Sequence, residues 1–117
     1  MNRTKTAVDF SIRPPTDDYS KWVETLILTS GDTRIIENTL GLVGEAGEVA
    51  EKIKKKLRDG SDVKPYEIIK ELGDVVFYAT ALANAFGSSL AEVQHMNQEK
   101  LNSRKERGVL RGNGDER

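Results

Sequence analysis

Gly41-Leu42-Val43-Gly44-Glu45-Ala46-Gly47-Glu48-Val49-Ala50-Glu51 and, further on, Lys70-Glu71-Leu72-Gly73-Asp74-Val75 are the stretches whose reading decides this fold. Each holds two acids three residues apart, Glu45 with Glu48 and Glu71 with Asp74. On a helix that spacing puts both carboxylates of a pair on one face. The apolar residues around them repeat at helical intervals. Leu42, Ala46, Val49, Ile53 and Leu57 form one stripe, and Ile68, Leu72, Val75, Ala79, Leu82 and Phe86 form a second. Both follow the three-and-four alternation of helices packed along one face. Each acid directly precedes a stripe residue or lies beside one. The connection from Asp59 to Lys64 is short, which favours an antiparallel pair. Packed that way, the two helices line one side of their seam with four carboxylates. Acids gathered so closely repel one another and call for a cation, and hard divalent ions such as Mg²⁺ take oxygen ligands of this kind.

Glycine supports a special role for the seam. Gly41, Gly44 and Gly47 fall inside the first of these helices and Gly73 inside the second. Each costs roughly 1 kcal/mol against alanine in a helix interior. Repeated local cost beside the acids implies close helix approach or room for a ligand. A single exposed acid pair is ordinarily a solvated face of little energetic consequence. Two pairs, both beside core stripes and both among glycines, point to a metal site.

Outward from the seam, the pattern predicts four helices and no strands, an all-α fold. The first is expected over Asp17 to Thr29 with Thr16 as N-cap, followed by a turn at Ser30-Gly31-Asp32. The second is expected over Arg34 to Arg58, ending near Asp59-Gly60. The third runs from Pro65 to Phe86, with Gly87 as its stop. Ser89-Leu90-Ala91-Glu92 has capping-box form and opens the fourth, to Arg107. Residues 1–15 read as an N-terminal arm around Pro14-Pro15, residues 16–107 as the helical domain, and residues 108–117 as a glycine-rich tail.

Composition narrows the function classes. The chain has 117 residues, enough for one modest domain, and its 32% charged and 37% hydrophobic residues suit a helical protein with a limited core. A net charge of −1 gives no argument for nucleic-acid or membrane binding, and no nucleic-acid polymer is expected as a partner. The lack of cysteine removes disulfides, zinc–thiolate sites and thiol catalysis. No apolar run suggests a membrane span, and residues 1–10 lack the apolar centre of a secretion signal, so a cytoplasmic location is expected.

The two acid motifs, E-x-x-E at Glu45–Glu48 and E-x-x-D at Glu71–Asp74 with 22 residues between them (positions 49 to 70), resemble those of the MazG-like all-α nucleoside triphosphate pyrophosphohydrolase superfamily. The likeness continues through Asn97, Lys100 and Arg104 and into Gly112-Asn113-Gly114-Asp115-Glu116-Arg117. It implies a helical bundle completed by oligomerisation, as a homodimer or homotetramer. It also implies hydrolysis of a nucleoside triphosphate to monophosphate and pyrophosphate, in nucleotide-pool control or house-cleaning. Glu45, Glu48, Glu71 and Asp74 would hold Mg²⁺ (or Mn²⁺), with Glu45 or Glu48 as candidate base. Related activities on dUTP, dCTP or phosphoribosyl-ATP, and a non-catalytic helical interaction module, are the alternatives.

Asn97, Lys100 and Arg104 share a face of the fourth helix. The resemblance implies phosphate contacts for the two cations and a sugar or base contact for Asn97, against the alternative of a solvated polar face. Lys52, one turn after Glu48, reaches either the substrate or Glu48 itself. Lys54, Lys55 and Lys56 suit the negative end of their helix. Trp22 is weighed between a core or interface position, which is favoured, and a face for stacking a nucleobase. Tyr19 and Tyr78 share that ambiguity, Tyr78 lying one turn beyond Asp74. Arg111 and Arg117 are further phosphate candidates should the tail close over substrate. Glu92-x-x-His95 has the form of a di-iron ligand pair, but a chain with one histidine cannot supply the second pair.

Overall fold

The computed structural model describes residues 14–60, 62–109, 111–112 and 114–115. The described residues form four helices and no strand: α1 (Asp18–Glu24), α2 (Gly31–Asp59), α3 (Pro65–Ala85) and α4 (Leu90–Glu106). Of the expected arm only Pro14 and Pro15 are described, and Arg117 also lies outside the described residues.

The expected hairpin of long helices is its centre. α2 has 29 residues and α3 has 21. α2 stops where expected, at Gly60, whose φ of 68° is the left-handed conformation of a C-cap and whose N–H donates to the Lys56 carbonyl. Pro65 supplies the fixed φ of the first turn of α3. α1 packs on α3, and α4 packs on both α3 and α1; α4 does not reach α2 among the described residues.

Three boundaries differ from the sequence expectation. Asp17, not Thr16, caps α1: its carboxylate accepts from the Ser20 N–H at 2.9 Å and from the Ser20 hydroxyl. α1 also stops at Glu24 instead of Thr29, while α2 starts at Gly31, taking in the expected turn. The reason is tertiary. Arg34 on α2 donates both terminal nitrogens to the Glu24 carboxylate at 2.6 Å, a side-chain link that ties the end of α1 to the first turn of α2. Gly31, with φ 61° and its surface buried, makes the abrupt start of α2 possible.

The centre of packing is small and largely polar. Val23, Ala81 and Ala85 are its buried apolar residues, joined by buried Ser20, Arg34, Asn38, Thr80, Asn84, Ser89 and Arg104. Such groups are tolerated only when they are paired. Asn84 donates to the Ser20 carbonyl at 2.9 Å and to Glu24 at 3.1 Å, and Arg34 donates to the Ala81 carbonyl at 3.2 Å. The Ser20 hydroxyl accepts from the Leu90 N–H and Asp17 accepts from the Ala91 N–H, so α1 also caps the start of α4. Ser89 caps Glu92 at 3.1 Å as expected.

The predicted stripes are only partly covered. Leu42 and Val49 are half-buried, but Ile53 and Leu57 at the far end of α2 and Leu72 on α3 are exposed. Ile36, Leu40, Val43, Ile69 and Val76 are exposed as well.

Candidate functional site

The hairpin brings three of the four motif acids together. Glu45 of α2 and Glu71 and Asp74 of α3 each offer a carboxylate oxygen, and these oxygens lie within 4.8 Å of one another. Glu48, one turn along α2, stands outside that group, yet its charge still acts on Glu45. Lys52, a further turn on, places its ammonium 3.9 Å from Glu71.

The cluster is electrostatically unbalanced. Partial burial, then a hydrogen bond with Glu71, then the negative charges of Asp74, Glu71 and Glu48 raise the Glu45 carboxyl above its ordinary value. Three convergent hard oxygens under mutual repulsion fit a divalent cation.

The raised carboxyl makes a pH prediction. The folded chain holds the Glu45 proton more tightly than the unfolded chain does, so this contribution to metal-free stability is complete below the ordinary glutamate pKa. It is lost as pH rises through the raised value. A divalent cation held at the cluster would compete with that proton, so any rise in Tm on adding Mg²⁺ should grow across the same window. A rise that does not depend on pH would separate Glu45 from the ion.

Beside the acids opens a cleft of about 490 Å³ lined by Tyr19, Trp22, Phe77 and Tyr78 together with Glu45 and Asp74. Its aromatic wall is continuous. Tyr19 and Trp22 have ring centroids 5.6 Å apart, Trp22 meets Phe77 edge-on at 6.2 Å, and Phe77 meets Tyr78 at 5.4 Å. Burial, and then the charge of Asp74, raise the Tyr19 phenol, which sets that ring beside the cluster. Trp22 is 51% exposed and forms a wall of the cleft, so it is not a core residue. Phe77 was not singled out from sequence, although an aromatic three residues past Asp74 was a usable signal.

Gly41 explains how Tyr78 fits. A Cβ at this position would lie 2.5 Å from Cδ1 and 2.6 Å from Cζ of the Tyr78 ring, whereas Gly44, Gly47 and Gly73 have no atom within 4 Å of theirs. Gly41→Ala should displace the ring and raise the KM for a cleft ligand. Gly44→Ala meets nothing and should stabilise α2 by up to about 1 kcal/mol. Thermal melts and steady-state kinetics of the two variants check this; equal effects would show that Gly41 does not seat Tyr78.

The α4 residues are not gathered with the acids in this chain. Arg104 is 4% exposed and donates to the Asp115 carbonyl at 2.6 Å and to its carboxylate at 3.1 Å. Lys100 donates to the same carboxylate at 3.2 Å, and the two cations hold the Asp115 carboxyl below its usual range. Asn97 and Arg111 are exposed. His95 is exposed beside Glu99 at 3.1 Å.

Residues 35–109 match the MazG nucleotide pyrophosphohydrolase domain. The chain belongs to this family. The MazG match spans the acid motifs and all of α3 and α4, and it leaves out α1 with Tyr19 and Trp22. The chain is also 48% identical over 96 residues to the Gene 37 protein of Mycobacterium phage L5, an alignment covering 75% of this chain and 84% of the relative. No solved structure matches. Among the described residues, no helix of this chain is long and apolar enough to cross a membrane.

Proposed function

We propose that this protein is a Mg²⁺-dependent nucleoside triphosphate pyrophosphohydrolase, converting (d)NTP to (d)NMP and pyrophosphate in nucleotide-pool control. The observation that carries the reading is the three-carboxylate cluster at the edge of an aromatic cleft. An aromatic face stacks any base, so Trp22 and its neighbours suit the nucleobase, and the acids then lie where phosphate begins. Glu45, Glu71 and Asp74 would hold the ion, which supplies neutralisation of phosphate oxygens when bound. Water attacks the α-phosphorus, the bond to the bridging oxygen breaks, and pyrophosphate leaves. The water proton passes to a carboxylate of α2. Glu48, outside the three-oxygen group, either takes that proton or completes the ligand set. Lys52 stands beside Glu71 to meet developing phosphate charge.

We also propose that the chain works as a homodimer or homotetramer. Ile36, Leu40 and Val43 on α2 and Ile69, Leu72 and Val76 on α3 leave more apolar surface exposed than scattered single residues would. Association offers a route by which Asn97, Lys100 and Arg104 of one copy approach the acids of another. Light scattering tests the state directly, and a monomer at working concentration would remove it.

The activity is tested with a substrate panel. Purified protein, Mg²⁺ and each canonical NTP and dNTP, with dUTP, modified nucleotides and phosphoribosyl-ATP, are incubated and the products separated. Monophosphate with pyrophosphate from a subset supports the reading and reveals the base and sugar. Orthophosphate release, or no turnover of any compound, would overturn it.

A further inference from the structure

On the side of the acid cluster away from the aromatic cleft, two adjoining depressions of about 200 and 190 Å³ run along the α2–α3 hairpin. Lys52 and Glu67 line both. Lys55, Lys56 and Asp62 line the outer one, while Lys70 and Glu71 line the inner one. Glu71 is itself a member of the carboxylate cluster, so the inner depression begins at the candidate metal site. Along α3 the order is therefore groove at Glu67 to Glu71, acids at Glu71 and Asp74, then cleft at Asp74 to Tyr78. From Glu67 to Asp74 the helix advances about 10 Å.

We infer that this groove is a pyrophosphate subsite. It would hold the β- and γ-phosphates of the substrate and then the released pyrophosphate, through Lys52, Lys55, Lys56 and Lys70. The orientation rests on the pyrophosphohydrolase reading: a nucleotide whose base lies in the aromatic cleft and whose α-phosphate lies at the acids has only this direction along α3 for the rest of its chain. Lysine suits the role as a compact, mobile point charge on phosphate. Asp62 and Glu67 share the lining, which fits a magnesium–pyrophosphate complex better than a bare polyanion. The start of α3 opens at the same edge, and Lys64 at its N-cap position makes no side-chain cap there. Lys54, on the same turn of α2, lines neither depression and pairs with Glu51 at 3.1 Å, which makes it an internal control.

The test is calorimetric titration of inorganic pyrophosphate, and separately of a nucleoside monophosphate, into the full chain with Mg²⁺. A Lys55→Ala/Lys56→Ala double variant should weaken pyrophosphate binding about tenfold, and Lys70→Ala several-fold, as expected for lost charge-assisted contacts. Lys54→Ala should leave it unchanged, and the monophosphate should bind all variants alike. Circular dichroism checks that helicity is kept. No pyrophosphate binding by the wild type, equal binding by the groove variants, or equal loss in Lys54→Ala would overturn the subsite. The two readings fail separately. Lysine-dependent pyrophosphate binding without triphosphate turnover keeps the groove and removes the hydrolase. Turnover with lysine-independent pyrophosphate binding does the reverse.

Discussion

Asp74→Asn is expected to lower Mg²⁺-dependent turnover by at least about a hundredfold while leaving helix content intact. The isosteric amide keeps the shape but takes one formal charge and one anionic ligand from a three-oxygen cluster. Loss even of groups that only support metal ligands costs about 10–100-fold, so loss of a ligand should cost at least the upper end. The fold should tolerate the change because Asp74 is exposed and its removal relieves repulsion on Glu45. Glu71→Gln should behave alike and should also release Lys52 from its carboxylate partner. Turnover against Mg²⁺ concentration, with circular dichroism alongside, is the measurement. Near wild-type turnover in both variants would sink the assignment of the acid cluster as the reactive centre.

The largest stability effect is expected from Glu24→Ala. Glu24 accepts two hydrogen bonds from Arg34, whose side chain is 9% exposed, and one from buried Asn84. Truncation deprives a buried guanidinium of its counter-charge, a change that typically costs about 3–5 kcal/mol. Glu24 itself is a quarter exposed, so the lower end applies, about 3 kcal/mol, or a Tm fall of about 10 °C or more. The damage should spread to binding, because the Arg34–Glu24–Asn84 network holds α1, and α1 brings Tyr19 and Trp22 to the cleft. A Glu24→Ala/Arg34→Met double variant should recover part of the loss by removing the buried guanidinium along with its Glu24 partner. Thermal melts read by Trp22 fluorescence test this; a Tm within about 2 °C of wild type would show that the pair does not anchor α1.

The four helices were legible because period and punctuation are local properties. Gly60, Pro65 and Ser89 stop and start helices through their own backbone and side-chain chemistry, and the expected ends there held to within a residue or two. The end of α1 was not legible, since it is set by Arg34, ten residues away, reaching back to Glu24. No helical period announces a buried ion pair, and Arg34 reads as surface until its partner is seen.

The candidate site divides in the same way. By itself the sequence determined that Glu45, Glu48, Glu71 and Asp74 flank a helical seam, because side-chain direction around a helix follows from residue number. Which carboxylates converge depends on the axial register and rotation of α2 against α3, and only the tertiary structure decided that Glu45 meets Glu71 and Asp74 while Glu48 stays outside. It likewise decided that Tyr78 is seated against Gly41, and that Trp22 forms a cleft wall and not core. It turned Lys100 and Arg104 toward Asp115, although their spacing on α4 was plain in the chain. Spacing fixes what shares a face of one helix; what that face meets is a matter of packing between helices, which no local pattern encodes.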